Sequence, residues 1–239
     1  MSWKEFVERK SSTNLVIIPT GAIEVYGPHL PLGSDLLVAT KIAELLVENV
    51  NAIIGPSLEV GDSATLDEFP GTITIRPESF KMYLTDVVNS LMKWGFKDFL
   101  FVNTHLGNVP MINQIVDEVK RKEDIRCAQV DYWRFLQTMD SGIIETGDLA
   151  HKHASEAGTS VMMYPYPDLC RLENWVHEPP NQINEFPDIS HYQKFSSVTK
   201  SGTVGNATVA TSEKGEQLVK RSIDRILLFL NKKWEHSIK

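Results

Sequence analysis

Short apolar runs alternate with amphipathic stretches along the first half of the chain. Residues 15–18 and 99–102 are continuous apolar runs, which are typical of strands that are buried on both faces of a sheet. Residues 35–50 and 79–95 instead repeat apolar side chains at helical spacing, so they predict amphipathic helices. Strands and helices are therefore expected to alternate, in units of about thirty residues.

The alternation continues to the C-terminal end of the chain. Residues 51–60 predict a second buried strand with its loop, and residues 69–75 predict the opening of another strand. Residues 109–123 predict a helix, residues 125–133 a strand, and residues 213–234 a closing amphipathic helix. Such an alternation is typical of an α/β fold, in which helices cover the faces of a mostly parallel sheet.

Local signals mark the ends of the predicted helices. Asp35 stands where an N-cap belongs ahead of Leu36, and Ser79 is available to cap the helix of residues 79–95. Gly95 is expected to end that helix, as glycine commonly does. For Asp35, a role as a metal ligand is the alternative to the N-cap.

Composition is that of an ordinary globular protein and excludes several classes. Of the 239 residues, 42% are hydrophobic and 23% are charged. The net charge of -7 argues against nucleic acid or an anionic membrane as the main partner, and no apolar run is long enough for a transmembrane helix. Since no repeat, low-complexity tract or clear boundary occurs, we expect one domain over residues 1–239.

Cysteine usage and the first residues bear on the compartment. The two cysteines, Cys127 and Cys170, form no CxxC pair, which excludes a structural zinc cluster of thiolates and argues against a disulfide framework. Residues 1–5 lead into a polar segment and not into the apolar region of a secretory signal. We therefore expect a cytoplasmic protein.

Polar loops follow the predicted strands. Residues 20–35, 61–71 and 103–109 each come after an apolar run. Because the carboxyl ends of parallel strands meet at one edge of a sheet, these loops are expected to gather there, where ligands bind in such folds. Residues 174–204 are rich in proline and polar side chains and predict either a long functional loop or an oligomer contact.

The side chains that could carry chemistry are carboxylates and imidazoles. They are Glu24, His29, Asp35, Asp62, Asp67, Glu68, His105, Asp148, His151, His153 and Glu156. Carboxylate with imidazole and without thiolate favours a catalytic ion such as zinc or manganese over a structural one. A hydrogen bond within its own loop is the alternative role for His29. No GxSxG, P-loop or GxGxxG motif occurs, which argues against the corresponding chemistries.

Five motifs occur in an order and spacing that resemble the creatininase family. They are PTGAIEVYGPHLPLGSD, FPGTITI, VNTHLGN, HASEAGTS and GTVGNATVATSEKGE, and the resemblance spans residues 15–217. It implies a three-layer α/β/α sandwich and a homo-oligomer, usually a hexamer. It also implies two divalent metal ions at the ends of the strands.

The resemblance implies roles for individual residues. Glu24, Asp35 and His105 match positions of metal ligands, and His153 matches a histidine that transfers protons beside the metals. The sequence therefore predicts a metal site made by residues that lie far apart along the chain.

Candidate substrate-binding residues follow from the same resemblance. Ser63 and Trp133 fall where relatives line the substrate pocket, and His29 of the first motif is taken as a third such residue. Leu106 and Leu149 replace aromatic residues that line the creatinine pocket, so creatinine itself is not the expected substrate.

Several positions depart from the family pattern. Tyr26 replaces a histidine ligand, Gly158 and Gly107 replace glutamates, and Lys152 replaces the glutamate before the catalytic histidine. Glu156 is the candidate to stand in for a lost carboxylate. A phenol with a pKa of about 10 is a poor metal ligand. We therefore expect one divalent ion per chain and a weak or absent second one, with Tyr26 free to bind a substrate oxygen.

The expected activity is that of a metal-dependent hydrolase acting on a small, polar, cyclic substrate. A metal-activated water would attack an amide carbonyl, and His153 would move the proton. Hydrolysis of a C–C bond that opens a cyclic keto-polyol in inositol catabolism is an alternative. A non-catalytic, ligand-binding relative is the other alternative.

Overall fold

The computed structural model describes the chain except residues 182–184, 187 and 190. Its helices are α1 (Trp3–Ser12), α2 (Ser34–Asn49), α3 (Pro77–Lys93), α4 (Val109–Lys120), α5 (Tyr132–Leu136), α6 (Glu156–Met163) and α7 (Ser212–Trp234). Its strands are β1 (Leu15–Thr20), β2 (Ile53–Ile54), β3 (Asp98–Asn103), β4 (Arg126–Asp131), β5 (His177–Glu178) and β6 (Gly205–Asn206). Within the described residues, no helix has the length and apolarity that a membrane span requires.

Four strands form one parallel sheet in the order β2-β1-β3-β4. Leu15 lies opposite Asp98 and Thr20 opposite Asn103 in the β1–β3 pair, and Asn103 lies opposite Asp131 in the β3–β4 pair. Because these strands run in the same direction, the loops after β1, β3 and β4 leave from the same edge of the sheet. Strands β5 and β6 form a separate antiparallel pair.

Two hydrophobic cores lie on opposite faces of the sheet. Leu15 and Ile17 of β1 pack with residues of α2, α6 and α7, whereas Val16 and Ile18 pack with residues of α3 and α4. Successive side chains of a strand point to opposite faces, so helices on both sides leave every residue of β1 buried. The architecture is the predicted three-layer α/β/α sandwich.

Several predicted helices are present, but the cap predicted for helix α3 is wrong. Helices α2, α4 and α7 correspond to the predicted amphipathic stretches. Helix α3 begins at Pro77, not at Ser79, because proline is preorganised for the first helical position and Arg76 takes the extended conformation of the N-cap. Gly95 follows α3 with a φ of 84°, in the left-handed region that ends a helix, as predicted.

The strand predicted over residues 69–75 is wrong. Thr72 N donates to Phe69 O at 3.2 Å, and Gly71 has a φ of 87°, so a turn interrupts the segment. Ile73 forms only an isolated antiparallel bridge with Ile23.

Helices α1 and α6 were not predicted. No residue of α1 is buried, and every residue of α6 from Glu156 to Met162 is buried. A helix that is buried on all sides shows little contrast between an exposed and a buried face, which applies to α6. Helix α1 instead contacts the rest of the protein through Phe6, whose ring packs against Trp94 and Phe96.

Candidate metal centre and active-site cavity

Three predicted ligands converge at the edge of the sheet. Glu24 lies in the loop after β1, Asp35 in the first turn of α2, and His105 directly after β3. His105 Nδ1 is 3.3 Å from Glu24 Oε2 and 3.4 Å from Asp35 Oδ2. One donor atom of each residue lies within 4.8 Å of the others. The side chains are buried, with 2%, 2% and 6% of Glu24, Asp35 and His105 exposed.

The N-cap role considered for Asp35 is wrong. The cap position of α2 is occupied by Gly33, and no side chain caps the helix. The Asp35 carboxylate instead faces His105, and Trp133 Nε1 donates to Asp35 Oδ1 at 3.2 Å. Its place in the first turn of α2 is favourable because the N-terminal end of a helix attracts negative charge.

Burial and mutual charge perturb the pKa values of the three residues. Burial, reinforced by the charge of Glu24, raises the pKa of Asp35 to about 7 despite the hydrogen bond with His105. Burial lowers the pKa of His105, but Glu24 and Asp35 outweigh it and hold that pKa well above its usual range. Burial raises the pKa of Glu24, but His105 and a hydrogen bond from Ser63 bring it below its usual value.

This donor set fits a divalent cation. Two buried carboxylates beside one imidazole carry an excess of negative charge, which a cation would neutralise. Two oxygen donors and one nitrogen donor leave an open position, as catalytic zinc sites do. His105 Nε2 donates to Asp62 O at 2.7 Å, so Nδ1 is the nitrogen turned to the carboxylates.

Ser63 and Trp133 hold the carboxylates in place. Ser63 Oγ donates to Glu24 Oε2 at 2.6 Å. Trp133 Nε1 donates both to Asp35 and to Thr104 O. Ser63 is fully buried and is not among the residues on the cavity wall, whereas Trp133 lines the cavity. Of these two candidate substrate-binding residues, the geometry leaves only Trp133 in a position to touch a substrate.

The three candidate ligands lie on the wall of a cavity of about 600 Å³. It is lined by Glu24, Tyr26, Asp35, Asp62, Thr65, Leu66, Thr104, His105, Leu106, Gly107, Trp133, Arg134, Gln137, His151, Lys152, His153, Ala157, Gly158 and Phe195. The volume is that of a site for a small molecule. The cavity thus combines the carboxylates of the candidate metal site with aromatic rings and hydrogen-bonding side chains.

The rings of His153 and Tyr26 pack against each other beside the candidate ligands, with an angle of 52° between their planes. Their ring centroids are 4.7 Å apart. His153 Nε2 donates to Val25 O at 2.8 Å, which leaves Nδ1 as the nitrogen that can take up a proton. Burial lowers the pKa of His153, although Glu24 and the bond to Val25 oppose this. The imidazole is therefore held neutral, in the form that accepts protons.

Tyr26 fills the space beside α6. Burial raises its pKa well above the usual range, and the charges of Asp35 and Glu24 add to this, so the phenol keeps its proton. A Cβ atom at Gly158 would lie only 2.7 Å from Tyr26 Oη. The lack of a side chain at Gly158 thus makes room for the hydroxyl.

Two predicted site residues lie elsewhere. The Glu156 carboxylate accepts hydrogen bonds from the backbone of Glu145 and Thr146 and from Lys214 Nζ at 2.7 Å. It is outside the cavity wall and outside the candidate metal group, so it does not replace a lost ligand. Its oxygens are already used to hold the 145–146 loop against α7. The geometry therefore does not support the catalytic role expected for Glu156.

His29 is likewise a buried structural residue in this fold. Its Nε2 donates to Thr159 Oγ1 at 2.8 Å, and burial lowers its pKa to about 4. It is fully buried and is not among the residues of the cavity wall. The alternative role considered for His29, a structural hydrogen bond, is therefore correct. The bond reaches Thr159 of α6, however, and not the loop that contains His29.

Some cavity residues were missed by the sequence analysis. Asp62 was named for its carboxylate, but it contacts His105 through its backbone carbonyl, which no side-chain pattern could reveal. Phe195 lines the cavity from the segment of residues 174–204, whose length and lack of periodicity had already marked it as unusual. Arg134 and Gln137 reach the cavity after β4, at the same sheet edge as the predicted loops.

Comparison with known proteins gives similarity over nearly the whole chain. Residues 1–230 match the profile of the Creatininase family, described as creatinine amidohydrolase. Creatinine amidohydrolase of Pseudomonas putida is 26% identical over 247 residues, covering 95% of this chain and 92% of the relative. Mycofactocin precursor peptide peptidase of Mycolicibacterium smegmatis is 28% identical over 236 residues, with coverages of 94% and 87%. The 3-dehydro-scyllo-inosose hydrolase of Thermotoga maritima is 24% identical over 250 residues, with coverages of 94% and 79%.

Solved structures share the fold. A mutant creatininase described as Zn-Zn type superposes with a TM-score of 0.87 at 25% identity, covering 98% of this chain and 96% of the other. A structure described as Creatininase Mn gives a TM-score of 0.86 at 23% identity with the same coverages. Fold, family profile and curated relatives agree with the resemblance stated from the motifs. The chain therefore belongs to the creatininase family, and it is a hydrolase as its relatives are.

Proposed function

We propose that this chain is a metal-dependent hydrolase that breaks an amide C–N bond in a small, polar, cyclic substrate. The observation that carries the proposal is the buried group of Glu24, Asp35 and His105 on the wall of the cavity that also contains His153. A pair of carboxylates with one imidazole suits zinc or manganese. The names of two relatives, an amidohydrolase and a peptidase, support cleavage of a C–N bond.

One divalent ion per chain, zinc or manganese, is the proposed cofactor. The raised pKa of Tyr26 makes its phenol a poor ligand, and Gly158 offers no ligand atom, so a second ion would bind weakly or not at all. When bound, the ion polarises a substrate carbonyl and lowers the pKa of a water molecule. Glu24, Asp35 and His105 would hold it, with Ser63 and Trp133 orienting the carboxylates.

The remaining cavity residues would move protons and bind the reacting oxygen. His153 Nδ1 accepts a proton from the attacking water and returns it to the leaving nitrogen, a role that its lowered pKa suits near neutral pH. Tyr26 keeps its proton and would donate a hydrogen bond to the substrate oxygen as negative charge develops there. Both side chains line the cavity together with the ligand group.

Hydrolysis of a C–C bond in a cyclic keto-polyol, as in inositol catabolism, is the second candidate. Thr65, Arg134, Gln137 and Lys152 supply hydrogen-bonding groups around the cavity, which would suit a hydroxylated ring. The similarity to an inosose hydrolase supports this alternative. Creatinine is not the proposed substrate, because the cavity has Leu106 where aromatic side chains were expected for creatinine.

The compartment, oligomeric state and partners of the enzyme are proposed from the family resemblance and the net charge. We propose a cytoplasmic homo-oligomer, a hexamer by family resemblance, that acts on a small molecule. The net charge of -7 supports neither nucleic acid nor a membrane as a partner. We do not propose a non-catalytic, ligand-binding role. The candidate metal ligands and His153 occur together in a chain whose relatives are hydrolases.

The test combines metal analysis with paired substrates. Purified protein should hold about one divalent ion per chain, and it should hydrolyse either hydantoin-like lactams or cyclic diketones. His153→Ala should keep the metal and lower kcat by about 10²- to 10⁴-fold, the range for loss of a general acid–base group. His191→Ala, which changes an exposed histidine, is the matched control and should behave as the wild type. Two full equivalents of metal, or an active His153→Ala protein, would contradict the proposal.

A further inference from the structure

A short strap from residues 194–197 reaches the cavity from the long segment after β5. Phe195 N donates to Thr65 O at 2.9 Å, and Lys194 Nζ lies 2.6 Å from Asp67 Oδ1. The lysine–aspartate pair is exposed, and such pairs contribute little to stability. Ser196 also donates to Glu68, so the strap is attached to residues 65–68 by contacts from Lys194, Phe195 and Ser196.

The Phe195 ring packs between the loop that follows β2 and His153. Its centroid lies 4.9 Å from the imidazole of His153, edge to face at 66°, and 6.1 Å from the ring of Phe69. Ring pairs in this range attract each other beyond the effect of their buried area. Phe195 and His153 both line the cavity, so the contact between their rings occurs inside the candidate active site.

The His153 imidazole has two kinds of restraint. Its polar restraint is the hydrogen bond from Nε2 to Val25 O, which holds one edge of the ring. Its apolar restraints are the rings of Tyr26 and Phe195, with centroids at 4.7 and 4.9 Å. A single hydrogen bond still lets an imidazole rock about that bond, so the two rings are needed to define its plane.

We propose that Phe195 is a positioning residue that holds the His153 imidazole in its working orientation and closes that side of the cavity against water. The inference rests on the proposed function, in which His153 transfers protons. It adds that the strap of residues 194–197 is part of the active site. A displacement of about 1 Å in a reacting group can cost about 10²-fold in rate, which is the scale of effect expected here.

The experiment compares Phe195→Ala, Phe195→Leu and the control Tyr192→Ala. Tyr192 belongs to the same segment but is 92% exposed, so its loss removes an aromatic ring without touching the cavity. Kinetics would be measured on whichever substrate the wild type hydrolyses, together with metal content. Acylation of His153 by diethyl pyrocarbonate, followed by peptide mass spectrometry, adds a readout that needs no substrate, and the exposed His191 is its internal control.

The expected result for Phe195→Ala is a fall in kcat of about 10- to 100-fold with a much smaller change in KM and an unchanged metal content. His153 should be acylated faster than in the wild type, and His191 at the same rate. Phe195→Leu should recover most of the activity, since it restores an apolar contact. If the alanine variant does not fold, Phe195→Val replaces it with the same expectations.

Three results would overturn the inference. One is unchanged activity and acylation in Phe195→Ala, another is loss of the metal, and the third is an equal effect of Tyr192→Ala. If no hydrolase substrate is found, the proposed function fails, but the acylation rates still decide the role of Phe195. The two failures are therefore distinguishable.

Discussion

Replacement of Gly158 by alanine tests how tightly Tyr26 fills the space beside α6. The new Cβ would lie 2.7 Å from Tyr26 Oη and 3.2 and 3.3 Å from two ring carbons, and contacts under 3.0 Å are not tolerated. Tyr26 is buried, with the rings of Trp133 and His153 on its other sides at 6.0 and 4.7 Å. The hydroxyl therefore has little room to move away from the methyl group.

Two opposed effects set the magnitude of this change. Alanine in place of glycine inside a helix stabilises a protein by about 1 kcal/mol, and overpacking of a dense core destabilises it by about 1–3 kcal/mol. We expect the clash to prevail, with a net loss of about 1 kcal/mol in the free energy of unfolding. In a Tyr26→Phe background the 2.7 Å contact is absent, so Gly158→Ala should be neutral or stabilising.

Urea unfolding of the wild type, both single variants and the double variant measures this coupling. The midpoint should fall in Gly158→Ala and recover in the double variant, with a coupling energy of about 1–2 kcal/mol. In thermal unfolding, each kcal/mol corresponds to a shift of about 2–4 °C for a chain of this size. Stabilisation by Gly158→Ala in the wild-type background, or an equal effect in both backgrounds, would refute the reasoning.

Two further predictions concern buried hydrogen bonds. Glu156→Gln should lower the free energy of unfolding by about 2 kcal/mol at neutral pH, because Lys214 and Thr146 lose a charged acceptor. Although burial raises the pKa of Glu156, these hydrogen bonds bring it below its usual 4.5, so its stabilisation is present above that pH and is lost on further acidification. In thermal melts, the difference between wild type and variant should shrink in acid, and a growing difference would contradict this. Ser63→Ala should weaken metal binding by about tenfold, because it frees Glu24, and chelator competition measures it; an unchanged affinity would refute that role.

Much of the fold was predictable because its signals are local. Burial of β1 and β3 on both faces makes each strand a continuous apolar run, and the pattern of α7 follows from one buried face. The local pattern gave a wrong prediction, or none, where a turn or tertiary packing determined the backbone. Residues 69–75 have strand-like side chains, but the turn at Gly71 prevents pairing beyond one bridge. Helix α6 is short and has no exposed face, since its polar residues are buried with its apolar ones, so it shows no clear amphipathic pattern in the sequence.

The candidate site was predictable in part for a different reason. Glu24, Asp35 and His105 were named from motifs, and the parallel sheet brings their three segments to one edge. Asp35 illustrates the limit of local reasoning, since its position before Leu36 suits a cap equally well. Only the packing of β3 beside β1 turns its carboxylate into a partner of His105.

The amino-acid sequence determined which layers form and which chemical groups are available, because periodicity and residue type are properties of short segments. The tertiary structure decided which of those groups meet. Glu156 was available for catalysis, but Lys214 from α7 engages it, and Phe195 reaches His153 across a long stretch of chain. Contacts between distant segments depend on how helices and loops dock onto the sheet, and the pattern within a single segment does not record this.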